Sequence, residues 1–254
     1  MTLLARRAIA EAVGTAFLVA TVVGSGIAAS RLSEDAGLQL LENSLVTGAA
    51  LVALILALQP VSAAFNPIVT LVEKALGALT WAEVGVLIAA QTAGGALGAV
   101  VANLMFDLPA VSVSGHARTG GGLWLGEVVA TLGLVLVVFG VVRAGREQLV
   151  AFAVGGYITA AYWFTSSTSF ANPAVTVART LSDTFAGIAP ASVSMFVLMQ
   201  AVGGALALGL VKTLYPDAAR VAQRITAAAD NADAAASPGD STDAPTPALT
   251  KEPS

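Results

Sequence analysis

Asn66-Pro67-Ile68-Val69-Thr70 and Asn172-Pro173-Ala174-Val175-Thr176 are two copies of one pattern, NPxVT, and their reading decides the fold. Asparagine is a strong helix N-cap, and proline fits the first helical turn because its missing N–H has no partner there anyway. Each copy therefore starts a helix. The apolar pieces that follow, about 66–76 and 172–181, are too short to cross a bilayer, which takes about 20 mostly apolar residues. Each directly follows a long apolar stretch. Backbone that leaves a helix at membrane depth is tolerated only where protein buries it or it lines a water-filled cavity. The segments 62–65 and 167–171 are thus expected to line a pore with some of their carbonyls, and the two half-helices to meet at their N-termini.

Working outward, six longer apolar stretches qualify as membrane helices, at about 9–29, 43–59, 81–105, 123–142, 149–164 and 193–214. Composition agrees. Of 254 residues, 56% are hydrophobic and only 11% charged, against about 25% in soluble domains, and mean hydropathy is +0.81. Most of the surface must face lipid. The net charge of −4 gives nucleic acid no reason to bind. With no cysteine and one histidine, His116, there is no disulfide, thiolate metal site or histidine cluster. No nucleophile–base pair is visible, so an enzyme is not expected, nor any cofactor.

Two further motifs recur in the same order as NPxVT. ExxxT occurs at Glu11–Thr15 and Glu127–Thr131, and QxxGGAL at Gln91–Leu97 and Gln200–Leu206. Residues 8–106 and 122–214 therefore read as two copies of one half-protein. Each copy has three spans, an odd number, so the second enters from the opposite side. That is an inverted repeat with its site near the midplane. With residues 1–7 inside, the inner segments hold Arg6, Arg7, Lys74, Arg143, Arg146, Lys212, Arg220 and Arg224, and the outer ones only Arg31, Arg118 and Arg179. This bias places both termini in the cytoplasm. Residues 215–254, rich in Ala, Asp, Ser, Thr and Pro, read as a disordered cytoplasmic tail.

A helix N-terminus carries roughly half a positive charge. Two of them meeting in a pore repel cations, while the Asn66 and Asn172 amides donate to a solute. The expected function is passive conduction of small uncharged solutes without ion leak. Two rivals remain: a proton-coupled transporter using Glu11 or Glu127, and a structural membrane protein with a closed pore.

Over about residues 8–214, the paired NPx, ExxxT and QxxGG motifs resemble the aquaporin, or major intrinsic protein, family. The resemblance implies an all-α fold of six tilted transmembrane helices plus two re-entrant half-helices, assembled as a homotetramer in the cell membrane with one pore per subunit. The pore motifs are then Asn66, Pro67 and Ile68 with Asn172, Pro173 and Ala174. Glu11 and Glu127 hold the loops before the half-helices, and Gln91 and Gln200 are structural. Water-selective members have a constriction with an aromatic, a His and an Arg directly after the second NPA. The corresponding ring here is Thr47 (or its neighbour Val46), Ala160 (or Thr159), Ser169 and Val175, without large aromatic, His or fixed cation. Such a ring is wide and suits glycerol-like polyols. The chain looks closer to a bacterial subgroup with NPxVT in both halves, some members of which are linked to neutral arsenite, which carries three hydroxyls as glycerol does. The Arg and Asp of the glycerol-facilitator signature are absent. Arg179, one turn beyond Val175, either snorkels to the outer surface or reaches back to the pore mouth. The first NPx loop also looks one residue short.

Overall fold

The computed structural model describes residues 1–217. Among them are eight α-helices: α1 (Leu3–Leu32), α2 (Ala36–Leu58), α3 (Pro67–Ala75), α4 (Trp81–Met105), α5 (Gly121–Arg143), α6 (Val150–Phe164), α7 (Pro173–Ala178) and α8 (Pro190–Leu214). The expected tail lies outside the described residues apart from 215–217. Helix α1 packs along α4, and α5 along α8, while α2 and α6 face each other across the bundle.

Five helices (α1, α2, α4, α5 and α8) are long and apolar enough to cross a bilayer. The sixth, α6, has 15 residues, a rise of about 22 Å at 1.5 Å per residue. A 3-10 turn at Glu147–Leu149 extends it at one end. Two glycines in α2 and α6 let these helices approach: a Cβ on Gly155 would lie 2.6 Å from the Gly48 carbonyl oxygen.

The repeated motifs explain the closest packing. A Cβ on Gly94 would lie 2.1 Å from the Ala12 carbonyl, and one on Gly203 would lie 2.5 Å from that of Val128. Backbones touch there, so only glycine fits. Thr15 and Thr131, the threonines of ExxxT, pack against the same glycine pairs: Thr15 Cγ2 is 3.5 Å from the Cβ position of Gly95, and Thr131 Cβ 3.0 Å from that of Gly203. Both hydroxyls are buried without a hydrogen-bond partner among the described residues. ExxxT is thus a clamp residue followed one turn later by a packing residue.

The half-helices α3 and α7 are capped as the sequence demands. Asn66 Oδ1 accepts from Ile68 N (2.9 Å), and Asn172 Oδ1 accepts from Ala174 N (3.0 Å) and Val175 N (3.2 Å). Pro67 and Pro173 occupy the first turn. Helix α7 has only six residues before a 3-10 turn at Arg179–Leu181.

Candidate functional site: a pore wall built from two broken helices

The two half-helices meet at their N-termini through a reciprocal exchange. Asn66 Nδ2 donates to the Ala171 carbonyl and Asn172 Nδ2 to the Phe65 carbonyl, each at 2.7 Å. Those carbonyls are aimed by left-handed backbone at the residues that carry them: φ is 47° at both Phe65 and Ala171. Left-handed geometry is uncommon for residues other than glycine and persists only where the surroundings enforce it. No sequence signal marked these two positions.

The enforcement comes from buried carboxylates. Glu11 accepts from Ala64 N (2.8 Å) and Phe65 N (2.7 Å), and Glu127 from Phe170 N and Ala171 N (both 2.9 Å). Gln91 Nε2 bridges Glu11 (2.8 Å) to Thr70 (3.0 Å), and Gln200 Nε2 bridges Glu127 (2.6 Å) to Thr176 (2.9 Å). Each half thus ties its three repeated motifs into one knot at the start of its broken helix. The two loops differ by one residue. Ser62, four residues before Asn66, donates to Glu11 at 2.6 Å, while Ser167, five residues before Asn172, is the corresponding serine on Glu127. The shorter first loop therefore keeps its clamp. Gly14 makes room for the Phe65 ring, which would lie 2.0 Å from a Cβ at that position.

A cavity of about 640 Å³ passes this meeting point, lined at one end by Arg6, Arg7, Glu73 and Glu147, and at the other by Tyr162, Phe170 and Arg179. Its walls are chemically unequal. One is apolar, made by side chains at four-residue steps, such as Leu51 and Ile55 on α2 and Val150, Val154 and Ile158 on α6. The other is the polar strip of the broken loops, with Ser62, Asn66, Ser169 and Asn172. The Ser169 hydroxyl has no hydrogen-bond partner among the described residues.

Of the four residues of the expected ring, Thr47, Ser169 and Val175 line the cavity. Ala160 does not. It lies on the exposed outer side of α6, and Thr159 is turned to the α2 interface, donating to Gly155 O at 2.9 Å. The α6 residue at this level is Tyr162, 4% exposed, whose hydroxyl lies 3.3 Å from Thr47 Oγ1. Counting back from Asn172 fails because residues 165–171 are not helical, so sequence distance there does not convert into helical turns. The row Val150-Val154-Ile158-Tyr162 would have found the correct face.

Tyr162 and Arg179 bring an aromatic and a cation to the cavity wall. Arg179 does not snorkel outward. It is 3% exposed, lines the cavity, and donates through Nε to the Ala186 carbonyl. Its guanidinium stacks 3.5 Å from the Phe170 ring centroid, in the manner of a cation–π contact. Its other N–H groups have no partner among the described residues. Arg118, in the connection before α5, lies over the same ring at 5.0 Å. Burial draws the Arg118 guanidinium below the usual arginine range, with Glu127 and Tyr162 opposing the shift.

No group of three or more His, Cys, Asp or Glu able to hold a metal occurs among the described residues.

Two broken helices meeting beside a two-faced cavity, clamped by buried carboxylates in an all-helical bundle, define a membrane pore for small uncharged solutes rather than an enzyme. A family model described as "Major intrinsic protein" matches residues 2–149. The chain is 49% identical over 216 residues to an aquaglyceroporin, AqpS, of Rhizobium meliloti (strain 1021), covering 85% of this chain and 92% of that one. Its fold is similar to the X-ray structure of the aquaglyceroporin from Plasmodium falciparum, with a TM-score of 0.70 at 19% identity over 85% of this chain and 98% of the other. The chain belongs to the major intrinsic protein family.

Proposed function

We propose that the pore conducts water and glycerol-like polyols passively, with neutral arsenite as a further solute of the same shape, and excludes ions and protons. The observation that carries this reading is the cavity's two-faced lining. A polyol presents hydroxyls along one edge and C–H groups along the other. The polar strip from Ser62 to Asn172 matches the first, and the Leu51, Ile55 and Ile158 wall matches the second. The name of the bacterial relative, an aquaglyceroporin, points to water and glycerol. The Asn66 and Asn172 amides, the helix N-termini behind them and the Arg179 guanidinium all present positive charge to the lumen, which opposes cations. Thr47, Tyr162, Ser169, Val175 and Arg179 form the selective end in this reading.

A strictly water-selective pore is the second reading. Tyr162 and Arg179 in the wall favour it, because they narrow an end that the sequence leaves wide. Proteoliposomes separate the two by stopped-flow light scattering. The polyol reading expects fast shrinkage in sucrose and fast re-swelling after a glycerol jump. It also expects Val175→Arg to cut glycerol flux by roughly tenfold or more while water flux persists, since added bulk and charge at a desolvated constriction cost more than about 1.4 kcal/mol. Fast shrinkage without re-swelling leaves the water-only reading standing.

The paired clamps support an inverted repeat, and the Lys and Arg bias supports cytoplasmic termini. Large apolar side chains on the outer surface, Phe17, Leu45, Phe152 and Trp163 among them, suit both lipid and the flanks of neighbouring subunits in a homotetramer. Cross-linking in native membranes that stops at four subunits is the expected result.

A further inference from the structure

We propose that Arg118 is a positioning residue for the selectivity of the pore: it fixes the arc of carbonyls that holds Arg179 in the cavity wall. The inference rests on the reading of Arg179 as the cation of the pore's selective end.

Three successive carbonyls, those of Phe185, Ala186 and Gly187, are taken alternately by two guanidiniums. Arg118 Nη2 donates to Phe185 O (3.4 Å) and Arg118 Nε to Gly187 O (2.9 Å), and Arg179 Nε donates to Ala186 O between them. Both guanidiniums lie over Phe170. That ring is anchored from below by the bond of Phe170 N to Glu127 and from the side by an edge contact with Phe196 at 5.2 Å. Arg118 itself is held by its own backbone N–H, which donates to Ser192 Oγ on α8 at 3.0 Å.

The arc has little freedom. A Cβ on Gly187 would lie 2.3 Å from Ser114 Oγ and 2.6 Å from Ser182 O. The connection between the repeats is laid along it by Ser112 N to Leu181 O (3.0 Å), Ser114 N to Thr180 O (2.9 Å) and Ala189 N to His116 O (2.7 Å). Two like charges sharing one ring repel each other, so their placement depends on the carbonyls between them. Without the Arg118 fork, the Phe185 and Gly187 carbonyls lose their donor and the strap that carries the Ala186 acceptor loosens. Arg118 is not part of the cavity wall, whereas Arg179 is. An effect of Arg118 on solute choice must therefore pass through the wall residues it braces, Arg179 by way of the carbonyl arc and the Phe170 ring beneath both guanidiniums.

The test is uptake of radiolabelled guanidinium relative to glycerol in proteoliposomes of the full chain, with tetramer yield as the folding control. The parent is expected to exclude guanidinium. Arg179→Gln is expected to raise the guanidinium-to-glycerol ratio by about tenfold or more, the scale of one unit charge removed from a partly dry site. Arg118→Gln is expected to raise it about threefold, which is the coupling typical of a residue acting through a neighbour. The double variant should match Arg179→Gln alone. Arg118→Lys, which keeps charge and stem but loses the two-pronged fork, should shift the ratio in the same direction and covers the case in which Arg118→Gln does not assemble. An unchanged ratio in assembled Arg118→Gln or Arg118→Lys overturns the positioning role. So do independent, multiplying effects in the double variant. An unchanged ratio in Arg179→Gln overturns the pore-cation reading beneath it.

Discussion

Two carboxylates decide the geometry of the pore. Glu11 and Glu127 are fully buried, and each accepts from two consecutive backbone N–H groups that have no helix to satisfy them. Leaving buried donors unpaired costs about 1–3 kcal/mol each. Glu127→Ala strands the N–H groups of Phe170 and Ala171 and takes from the Gln200 amide one of its two acceptors, leaving Thr176. It is expected to lower the melting temperature of the detergent-solubilised protein by several degrees and to abolish glycerol flux. Gln200→Ala removes only the bridge from the carboxylate to Thr176 and should cost less than Glu127→Ala in the same assay. At this scale the sequence is legible where a residue is repeated: Asn66 with Asn172, Glu11 with Glu127, Gln91 with Gln200. Tyr162, Phe170 and Arg179 have no counterpart in the other half, so no repeat announces them. Phe170 and Arg179 are placed by the path of a non-helical loop, which sequence spacing does not give, whereas Tyr162 lies on the α6 row Val150-Val154-Ile158-Tyr162 and is within reach of helical spacing. The left-handed turns at Phe65 and Ala171 are hidden for a different reason, since neither residue is a glycine.

Helix packing gives the clearest contrast between positions of one residue type. Gly94 faces the backbone of α1, and a Cβ there would meet the Ala12 carbonyl at 2.1 Å. Gly209 in α8 has nothing within 4 Å of the same position. Gly94→Ala is expected to force α1 and α4 apart at a cost of roughly 1–3 kcal/mol, the usual range for an overfilled core, and to reduce the yield of assembled protein. Gly209→Ala should leave thermal stability and flux at parental values. The paired glycines are readable from QxxGGAL because small residues allow membrane helices to approach closely. Helix ends are readable where a cap announces them, as at Asn66 and Asn172. The apolar stretch at 149–164 likewise coincides with α6, Val150–Phe164.

The molecule as a whole is two knots of Glu, Gln and Thr, one at the base of each broken helix, with the solute path between them. That architecture follows from the order of three repeated motifs, and no single helix reveals it. Because the chain contains no cysteine, its topology can be mapped with single introduced thiols on an otherwise silent background. His116 and Gln148 are exposed and flank α5. His116→Cys should react with a membrane-impermeant maleimide added to intact cells, and Gln148→Cys only after the membrane is opened. Equal labelling from outside would contradict the proposed orientation. The claim at the centre of this account is that solutes pass down their own gradients through an open path. Glycerol re-swelling of proteoliposomes tests it most directly, measured by stopped flow with and without an imposed proton gradient. The account predicts re-swelling much faster than in empty vesicles, linear in the glycerol gradient and indifferent to the proton gradient. Re-swelling that saturates with glycerol and follows the proton gradient would contradict it and make Glu11 and Glu127 coupling sites instead of clamps.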